Sequence, residues 1–238
     1  MAEIEVTPQP GSPRHARHLL PLGRLGASLV FGALFCVCAT LGFVWLAGAV
    51  FADRFIALDT GLILWAHARW GPVLDQAMLF FTTMGEAPVL ALLVILFALA
   101  LRHYGRWIDA AGLVVAGAGA GILNQVLKAT YQRVRPDLVE GPFHLTSYSF
   151  PSGHAMGAIA CYGMLAFIGV RLLRRQLHKL ALAASMAALV LAIGCSRVYF
   201  GVHFPTDVLG GFVAGAIWLV ITIGIMQTAE WYVARRSP

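Results

Sequence analysis

The stretch LGASLVFGALFCVCATLGFVWLAGAVFA, residues 25–52, contains no Asp, Glu, Lys or Arg. A helix needs about 20 apolar residues to cross a hydrocarbon core about 30 Å thick, so this stretch predicts a transmembrane helix. Arg14, Arg17 and Arg24 precede it, as basic residues precede the apolar part of a signal peptide. The stretch is much longer than the roughly 7–15 apolar residues of a cleavable signal, and we therefore expect an uncleaved first span.

Five further stretches are apolar enough to cross a bilayer. They cover residues 76–101, 110–127, 154–170, 180–196 and 208–229, and the first of them contains one acid, Glu86. The whole chain is 59% hydrophobic and 12% charged, whereas soluble domains carry about 25% charged residues. Leu- and Ala-rich runs, without ten-residue alternation, favour helices over strands. The sequence therefore predicts an all-α fold, a polytopic membrane helical bundle with six transmembrane helices.

The basic residues predict the orientation of this bundle. Of the 17 Lys and Arg residues, eleven fall on the side of the N-terminus if six spans are counted. Because basic residues collect on the cytoplasmic side, we expect both termini in the cytoplasm and the protein in the cell inner (cytoplasmic) membrane. Residues 1–24 are predicted to be a flexible cytoplasmic tail, residues 25–230 the membrane domain, and residues 231–238 a second cytoplasmic tail. Residues 53–86 predict short amphipathic helices at the outer interface.

Several outward-facing helix ends carry charged or polar residues that can bind an oxyanion. Lys128, Arg135 and Arg197 are three cations, and arginine forks match the oxygens of a phosphate. Ser152 and Gly153 lie where a loop becomes a helix, and the free N–H groups at a helix N-terminus attract anions. Ionisable residues at this depth are costly and usually functional. The sequence therefore predicts a phosphate-binding site at the outer face, facing the periplasm or exterior.

Two histidines and an aspartate could supply the chemistry at this site. His203 precedes the last span, and Asp207 lies one helical turn further along. A carboxylate that holds one imidazole nitrogen leaves the lone pair of the other free to attack, so His203 is the predicted nucleophile. His154, at the start of the fourth span, could protonate the leaving group.

Each of these features also has a structural explanation. A single Lys or Arg at the end of a span is commonly a snorkelling anchor, and Pro-Ser-Gly before a helix is commonly a turn and cap. His203 and Asp207 could be a hydrogen-bonded pair with no chemical role. Random anchors do not place three cations, two histidines and a carboxylate on one face, so the whole set favours a functional site.

These residues resemble a three-part signature. The pattern Lys128-x6-Arg135-Pro136, then Pro151-Ser152-Gly153-His154, then Ser196-Arg197-x5-His203-x3-Asp207 is similar to that of the type-2 phosphatidic acid phosphatase superfamily. The resemblance implies a phosphohydrolase that needs no metal and no other cofactor. It also implies that the residue matching His203 forms a phosphohistidine, that those matching Asp207 and His154 orient it and protonate the leaving group, and that the remaining ones hold the phosphoryl oxygens. Those remaining ones are Lys128, Arg135, Ser152, Gly153 and Arg197.

A phosphate site at the membrane interface favours a lipid phosphate or diphosphate as the substrate. Among the lipids that the resemblance implies, undecaprenyl diphosphate is the favoured substrate, which would link the protein to cell wall biogenesis. Phosphatidylglycerol phosphate and phosphatidic acid, from phospholipid metabolism, are further possibilities. The expected partners are the lipid substrate and membrane lipids, with no nucleic acid. Two alternatives stay open: a lipid phosphotransferase that passes the phosphoryl group to another lipid, and an anion or lipid transporter.

Overall fold

The computed structural model describes residues 22–140, 142–143 and 145–236, and all regular structure in this part of the chain is helical. Its eight helices are α1 (Leu22–Phe51), α2 (Ile56–His67), α3 (Pro72–Met84), α4 (Ala87–His103), α5 (Trp107–Tyr131), α6 (Gly153–Leu172), α7 (Gln176–Tyr199) and α8 (Pro205–Arg236). The all-α fold class predicted from the sequence is confirmed.

Five of these helices are long and apolar enough to cross a membrane: α1, α5, α6, α7 and α8. The sixth predicted span, residues 76–101, consists of two helices, α3 and α4, which meet at an angle of 54°. The bundle therefore has six spans when the bent pair is counted as one. The short helices α2 and α3 occupy the segment in which short helices were expected.

The bend between α3 and α4 has a local cause. Gly85 and Glu86 separate the two helices, and Pro88 in the first turn of the second lacks the N–H that a continuous helix would donate to the Met84 carbonyl. The Tyr162 hydroxyl on α6 donates to the Met84 carbonyl at 2.8 Å and so fixes the end of α3. A Cβ on Gly85 would lie 2.5 Å from the Ile193 side chain on α7. The break thus packs directly against two other spans.

Helix α6 lies at the centre of the bundle and packs against α5, α7 and α8. The side chains that α6 contributes to the core include small residues and methionines, such as Ala155, Met156 and Ala158, none of which is exposed. On α8, Gly211 lets the two backbones approach closely, because a Cβ there would lie 2.5 Å from the Ser152 carbonyl oxygen. The close contact fixes the start of α6 against the start of α8.

An ion-pair cluster joins helix ends at the opposite end of the bundle. Asp109 in the first turn of α5 pairs with Arg106 at 2.8 Å and with Arg171 at the end of α6 at 3.5 Å. Arg171 also pairs with Glu230 on α8 at 2.7 Å. The basic connections that the sequence assigned to one side of the membrane therefore do meet at one end.

The first and last helices extend beyond the predicted spans at both ends of the described chain. The helix α1 begins at Leu22 instead of residue 25, and residues 1–21, most of the predicted N-terminal tail, lie outside the described residues. The helix α8 continues to Arg236, so residues 231–236 of the predicted C-terminal tail are helical. Nothing in these residues breaks the helix, and Arg235 and Arg236 lie over the rings of Trp231 and Tyr232, which supports its last turn.

Candidate active site

One end of the bundle gathers all eight predicted site residues. Lys128 lies in the last turn of α5 and Arg197 in the last turn of α7. Gly153 and His154 begin α6, Asp207 lies in the first turn of α8, and the connections carry Arg135, Ser152 and His203. Because α5 and α7 run toward this end while α6 and α8 start from it, residues far apart in sequence become neighbours.

Three of the predicted site residues each have a buried polar atom without a hydrogen-bond partner in the described part of the protein. These atoms are Ser152 Oγ, His154 Nε2 and Arg197 Nε. Ser152 is fully buried and Arg197 is only 3% exposed, so these groups are largely shielded from solvent. A buried polar group without a partner is costly and usually marks a place where a ligand or water binds. Two of the three atoms can donate to an oxyanion in any protonation state, and His154 Nε2 can do so when it carries a proton.

The start of α6 is shaped for close approach. The Asn124 side chain on α5 donates from Nδ2 to the Pro151 carbonyl at 3.1 Å and fixes the chain just before the helix. A Cβ on Gly153 would lie 2.9 Å from Asn124 Oδ1, so only glycine fits there without displacing the amide. The Ser152 N–H donates to the Asp207 carbonyl at 2.9 Å and joins the two helix starts. These contacts fix the start of α6 beside the end of α5 and the start of α8.

Lys128 and Arg135 hold the last part of the connection between α5 and α6. Lys128 Nζ donates to the Tyr148 carbonyl at 2.6 Å, and Arg135 Nε donates to the Ser147 carbonyl at 2.7 Å. Arg135 Nη1 donates to the Val202 carbonyl at 2.6 Å and lies 3.1 Å from His203 Nε2. Burial lowers the pKa of the Arg135 guanidinium, while the Asp207 carboxylate acts in the opposite direction.

The contact with Arg135 defines the proton arrangement of His203. A guanidinium has donors only, so Nε2 of the imidazole must be the acceptor and Nδ1 carries the proton. Nδ1 lies 3.5 Å from Asp207 Oδ2, a long contact, and 3.4 Å from the Ser149 hydroxyl, which itself donates to Asp207 Oδ2. The Phe204 N–H also donates to Oδ2, at 2.9 Å. The carboxylate thus faces the protonated nitrogen and leaves the lone pair on Nε2.

Burial keeps the His203 ring neutral. The side chain is 2% exposed, and loss of solvation lowers the pKa of His203 to about 4, with Arg135 and Arg197 acting in the same direction and Asp207 opposing them. A neutral imidazole with its lone pair on Nε2 is the form that can act as a nucleophile.

Several residues at this site were not predicted to be part of it. Arg133 donates from Nη1 to Asp207 Oδ1 at 2.6 Å and from Nη2 to Asp59 Oδ2 at 3.0 Å. Thr82 on α3 accepts a hydrogen bond from Arg197. The sequence placed Arg133 beside the motif without a role, and it contained no signal for Asp59, Thr82 or Ser149, whose partners lie 54 or more positions away.

The positive charge at the site comes from side chains of the protein. In the part of the chain that the structure describes, no group of three or more His, Cys, Asp or Glu side chains is arranged to hold a metal ion. Lys128, Arg135 and Arg197, together with the start of α6, can instead surround a dianionic group. Such an arrangement can bind a phosphoryl group next to a nucleophilic nitrogen.

Known proteins share this sequence and fold. The model of the PAP2 superfamily matches residues 109–231. Phosphatidylglycerophosphatase B of Bacillus subtilis is 32% identical over 185 residues, which cover 77% of this chain and 91% of that protein. The crystal structure of a transmembrane PAP2 type phosphatidylglycerolphosphate phosphatase from Bacillus subtilis superposes with a TM-score of 0.75 at 32% identity, covering 80% of this chain and 94% of that one. Undecaprenyl-diphosphatase BcrC of Bacillus subtilis is 30% identical over 152 residues, 61% of this chain and 71% of that protein.

Proposed function

Because the chain belongs to the PAP2 superfamily and is a multi-pass membrane lipid phosphatase, we propose that it hydrolyses its substrate through a phosphohistidine formed on His203 at the outer face of the cytoplasmic membrane. The observation that carries this proposal is the group of unpartnered donors, Ser152 Oγ, His154 Nε2 and Arg197 Nε, at the same end of the bundle as a neutral imidazole.

The substrate phosphate binds among the cations. Lys128, Arg135 and Arg197 neutralise its charge, and the N–H groups at the start of α6 donate to its oxygens together with the Ser152 hydroxyl. Charge accumulates on these oxygens in the transition state of phosphoryl transfer, so fixed donors accelerate the reaction. Their positive charge supplies what a divalent ion supplies in other phosphatases.

In the first step, His203 Nε2 attacks phosphorus. The N–P bond forms while the bond from phosphorus to the lipid oxygen breaks, and His154 gives a proton to that oxygen. The bound dianion next to His154 favours the protonated form that this transfer needs. Asp207 stabilises the positive charge that develops on the His203 ring.

In the second step, a water molecule replaces the departed lipid. His154 takes a proton from this water as its oxygen attacks phosphorus, and the N–P bond breaks. Inorganic phosphate leaves and both histidines return to their starting states. The two steps balance without an oxidant, a metal or a further reactant.

For the substrate, we place phosphatidylglycerol phosphate first and undecaprenyl diphosphate second. The sequence alone favoured the latter, but a relative named as a phosphatidylglycerophosphatase matches this chain over 91% of its own length. Undecaprenyl-diphosphatase BcrC matches over 71%. The phosphatase relatives support hydrolysis over transport, and no observation favours the transporter alternative.

The test uses purified protein in detergent with EDTA. We offer phosphatidylglycerol phosphate, undecaprenyl diphosphate and phosphatidic acid, and we measure released phosphate for the parent, His203→Ala, His154→Ala and His178→Ala. We expect release that survives chelation, falls by about 10³-fold or more in the His203 variant and by about 10²-fold or more in the His154 variant. The exposed His178 lies at the other end of α7 and serves as the control, with parent activity.

A rapid-quench experiment with labelled substrate tests the intermediate itself. The parent should carry an acid-labile phosphoryl group that His203→Ala lacks. Full activity in His203→Ala, or label that persists there, would refute the proposed nucleophile. A labelled second lipid with little free phosphate would show instead that the protein is a phosphotransferase.

A further inference from the structure

A chain of buried charges runs from the nucleophile to a helix outside the three motifs. Asp207 faces His203 with Oδ2 and accepts from Arg133 Nη1 with Oδ1, at 2.6 Å. The other arm of Arg133, Nη2, donates to Asp59 Oδ2 at 3.0 Å. Asp59 lies in the first turn of α2. One guanidinium therefore bridges two carboxylates, one of which serves His203.

The bridge is closed by a threonine at the start of α8. The Thr206 hydroxyl donates to Asp59 Oδ2 at 2.6 Å and accepts from Arg133 Nη1 at 2.9 Å. The Thr206 N–H donates to Asp59 Oδ1 at 3.0 Å. Both carboxylate oxygens of Asp59 therefore accept hydrogen bonds. These bonds fix Asp59 to Thr206, the residue next to Asp207.

Burial of this set is costly for a purely structural link. Asp59 and Asp207 are fully buried, and the Arg133 side chain is 11% exposed. Each buried ion loses several kcal/mol of solvation, and apolar contacts of similar volume commonly stabilise a fold as well or better. The neighbouring helix α3 is held to α7 more simply, by the Tyr199 hydroxyl donating to Asp75 at 2.6 Å.

The net charge of this cluster suits the proposed formation of a phosphohistidine. Asp59, Arg133 and Asp207 together carry one net negative charge beside a neutral ring. If Arg133 paired with Asp207 alone, it would cancel the charge that faces His203. Because Asp59 holds the other arm, part of the Asp207 charge stays available when His203 becomes positive on phosphorylation.

We infer that Asp59 and Arg133 are positioning residues of the phosphatase, which act through Asp207 to orient His203 and to stabilise its charged, phosphorylated form. The inference rests on the proposed phosphohistidine mechanism. Neither residue touches the substrate, so both affect the chemical step and leave substrate binding nearly unchanged.

The pH dependence of activity separates this role from a structural one. The charged and titratable groups that act on His203 are Asp207 from α8, Arg197 from α7, Arg135 from the connection before α6, and His154 from α6. The substitution Asp59→Asn leaves these four groups in place and removes one negative charge on the far side of Arg133. Protonation of His203 then becomes less favourable, so the acid limb of the pH profile moves to lower pH.

The experiment measures kcat, KM and the pH profile of kcat/KM for the parent, His203→Ala, Asp59→Asn, Arg133→Lys and Asp75→Asn, with phosphatidylglycerol phosphate in detergent. For Asp59→Asn we expect kcat lower by about 10- to 30-fold, KM within about threefold, and an acid limb at lower pH. For Arg133→Lys we expect kcat lower by about tenfold with an unshifted acid limb, because one ammonium keeps the charge but cannot bridge both carboxylates. The substrate phosphate ionises in the same way in every assay, so a difference between the pH profiles of two variants reports on the enzyme.

Asp75→Asn is the matched control, since it removes a hydrogen-bonded carboxylate from the neighbouring outer helix and should keep the parent kcat. Parent kcat and an unshifted acid limb in Asp59→Asn would overturn the inference, as would an equal loss in Asp75→Asn. If Asp59→Asn does not fold, Arg133→Lys decides: an unchanged kcat overturns the inference, and a loss in kcat at constant KM supports it. An active His203→Ala protein would refute the proposed mechanism and the inference with it, whereas an inactive one with a normal Asp59→Asn protein would refute the inference alone.

Discussion

At the scale of single residues, the environment of His203 decides its chemistry. The ring is buried, Arg135 donates toward Nε2 at 3.1 Å, and Asp207 faces Nδ1. Burial and the nearby cations disfavour a second proton on the ring, while Asp207 favours it. The balance lowers the pKa of His203 to about 4, so the neutral form persists through the range in which an ordinary histidine becomes protonated.

The titration of this ring can be measured by NMR on the protein with labelled histidine. The resonance that is lost in His203→Gln should show a neutral ring at pH 5.5 and protonation only as the pH falls toward about 4. The sign follows from the lowered pKa: between pH 4 and about 6.5 the ring stays uncharged while free histidine, the reference in the same buffer, is protonated. A midpoint near 6.5 would contradict the described burial.

At the scale of elements, the contact between α6 and α8 positions the site. The Ser152 N–H donates to the Asp207 carbonyl, and Gly211 lies against the Ser152 carbonyl oxygen. The start of α6, where we propose that phosphate binds, is therefore fixed to the start of α8, which carries Asp207. We expect a distortion of α8 to displace the proposed phosphate site.

A single methyl group tests this coupling. In Gly211→Ala the added Cβ would lie 2.5 Å from the Ser152 carbonyl oxygen and 2.9 Å from Ala155 Cβ, so the helices must separate. We expect a loss of about 1–3 kcal/mol in the free energy of unfolding and lower phosphate release. Gly224→Ala on the same helix meets only Leu29, at 3.4 Å, and should behave like the parent. Thermal unfolding in detergent and the phosphate assay check both; a fully stable and active Gly211→Ala protein would exclude the coupling.

The elements also show what sequence patterns can and cannot predict. Long uncharged runs predict the spans, because each span needs about 20 apolar residues and this requirement can be read from one continuous stretch of sequence. The bend between α3 and α4 was not predicted. Glu86 is the one charged residue in the run 76–101, and the packing of Gly85 against α7 cannot be read from the sequence. The motif residues were predictable because each motif is short and marks a helix end.

The partners of the motif residues were not predictable in the same way. Arg133 binds Asp59 across 74 positions, and Ser149 donates to Asp207 across 58. Asp59 meets Arg133 because both of them bind the start of α8, through Thr206 and Asp207. A lone aspartate in a short helix carries no local pattern that distinguishes it from a solvated residue.

At the scale of the whole molecule, the family predicted from the motifs is confirmed and so is the enzyme class. The orientation in the membrane remains a proposal, and the two ends of the bundle support it. One end carries the Asp109, Arg171 and Glu230 cluster among basic helix ends, and the other carries the site. Since basic connections favour the cytoplasmic side, this arrangement supports the proposal that the site faces outward.

Cysteine labelling in intact cells tests this orientation. In a background that lacks the four native cysteines, exposed Asp137→Cys lies beside the site and exposed His178→Cys at the other end of the bundle. A membrane-impermeant maleimide should modify the first without permeabilisation and the second only after it. Labelling of His178→Cys alone in intact cells would reverse the proposed orientation.

The contact between Arg135 and His203 has a consequence for the reactivity of the imidazole when no substrate is bound. The lone pair that would attack phosphorus is already engaged by an internal donor. We therefore expect a reactant to compete for this guanidinium before it can meet the ring, which an anionic headgroup can do by accepting its hydrogen bonds. An uncharged electrophile would meet a lone pair that is already hydrogen-bonded, so we expect the contact with Arg135 to lower the reactivity of His203 toward such compounds.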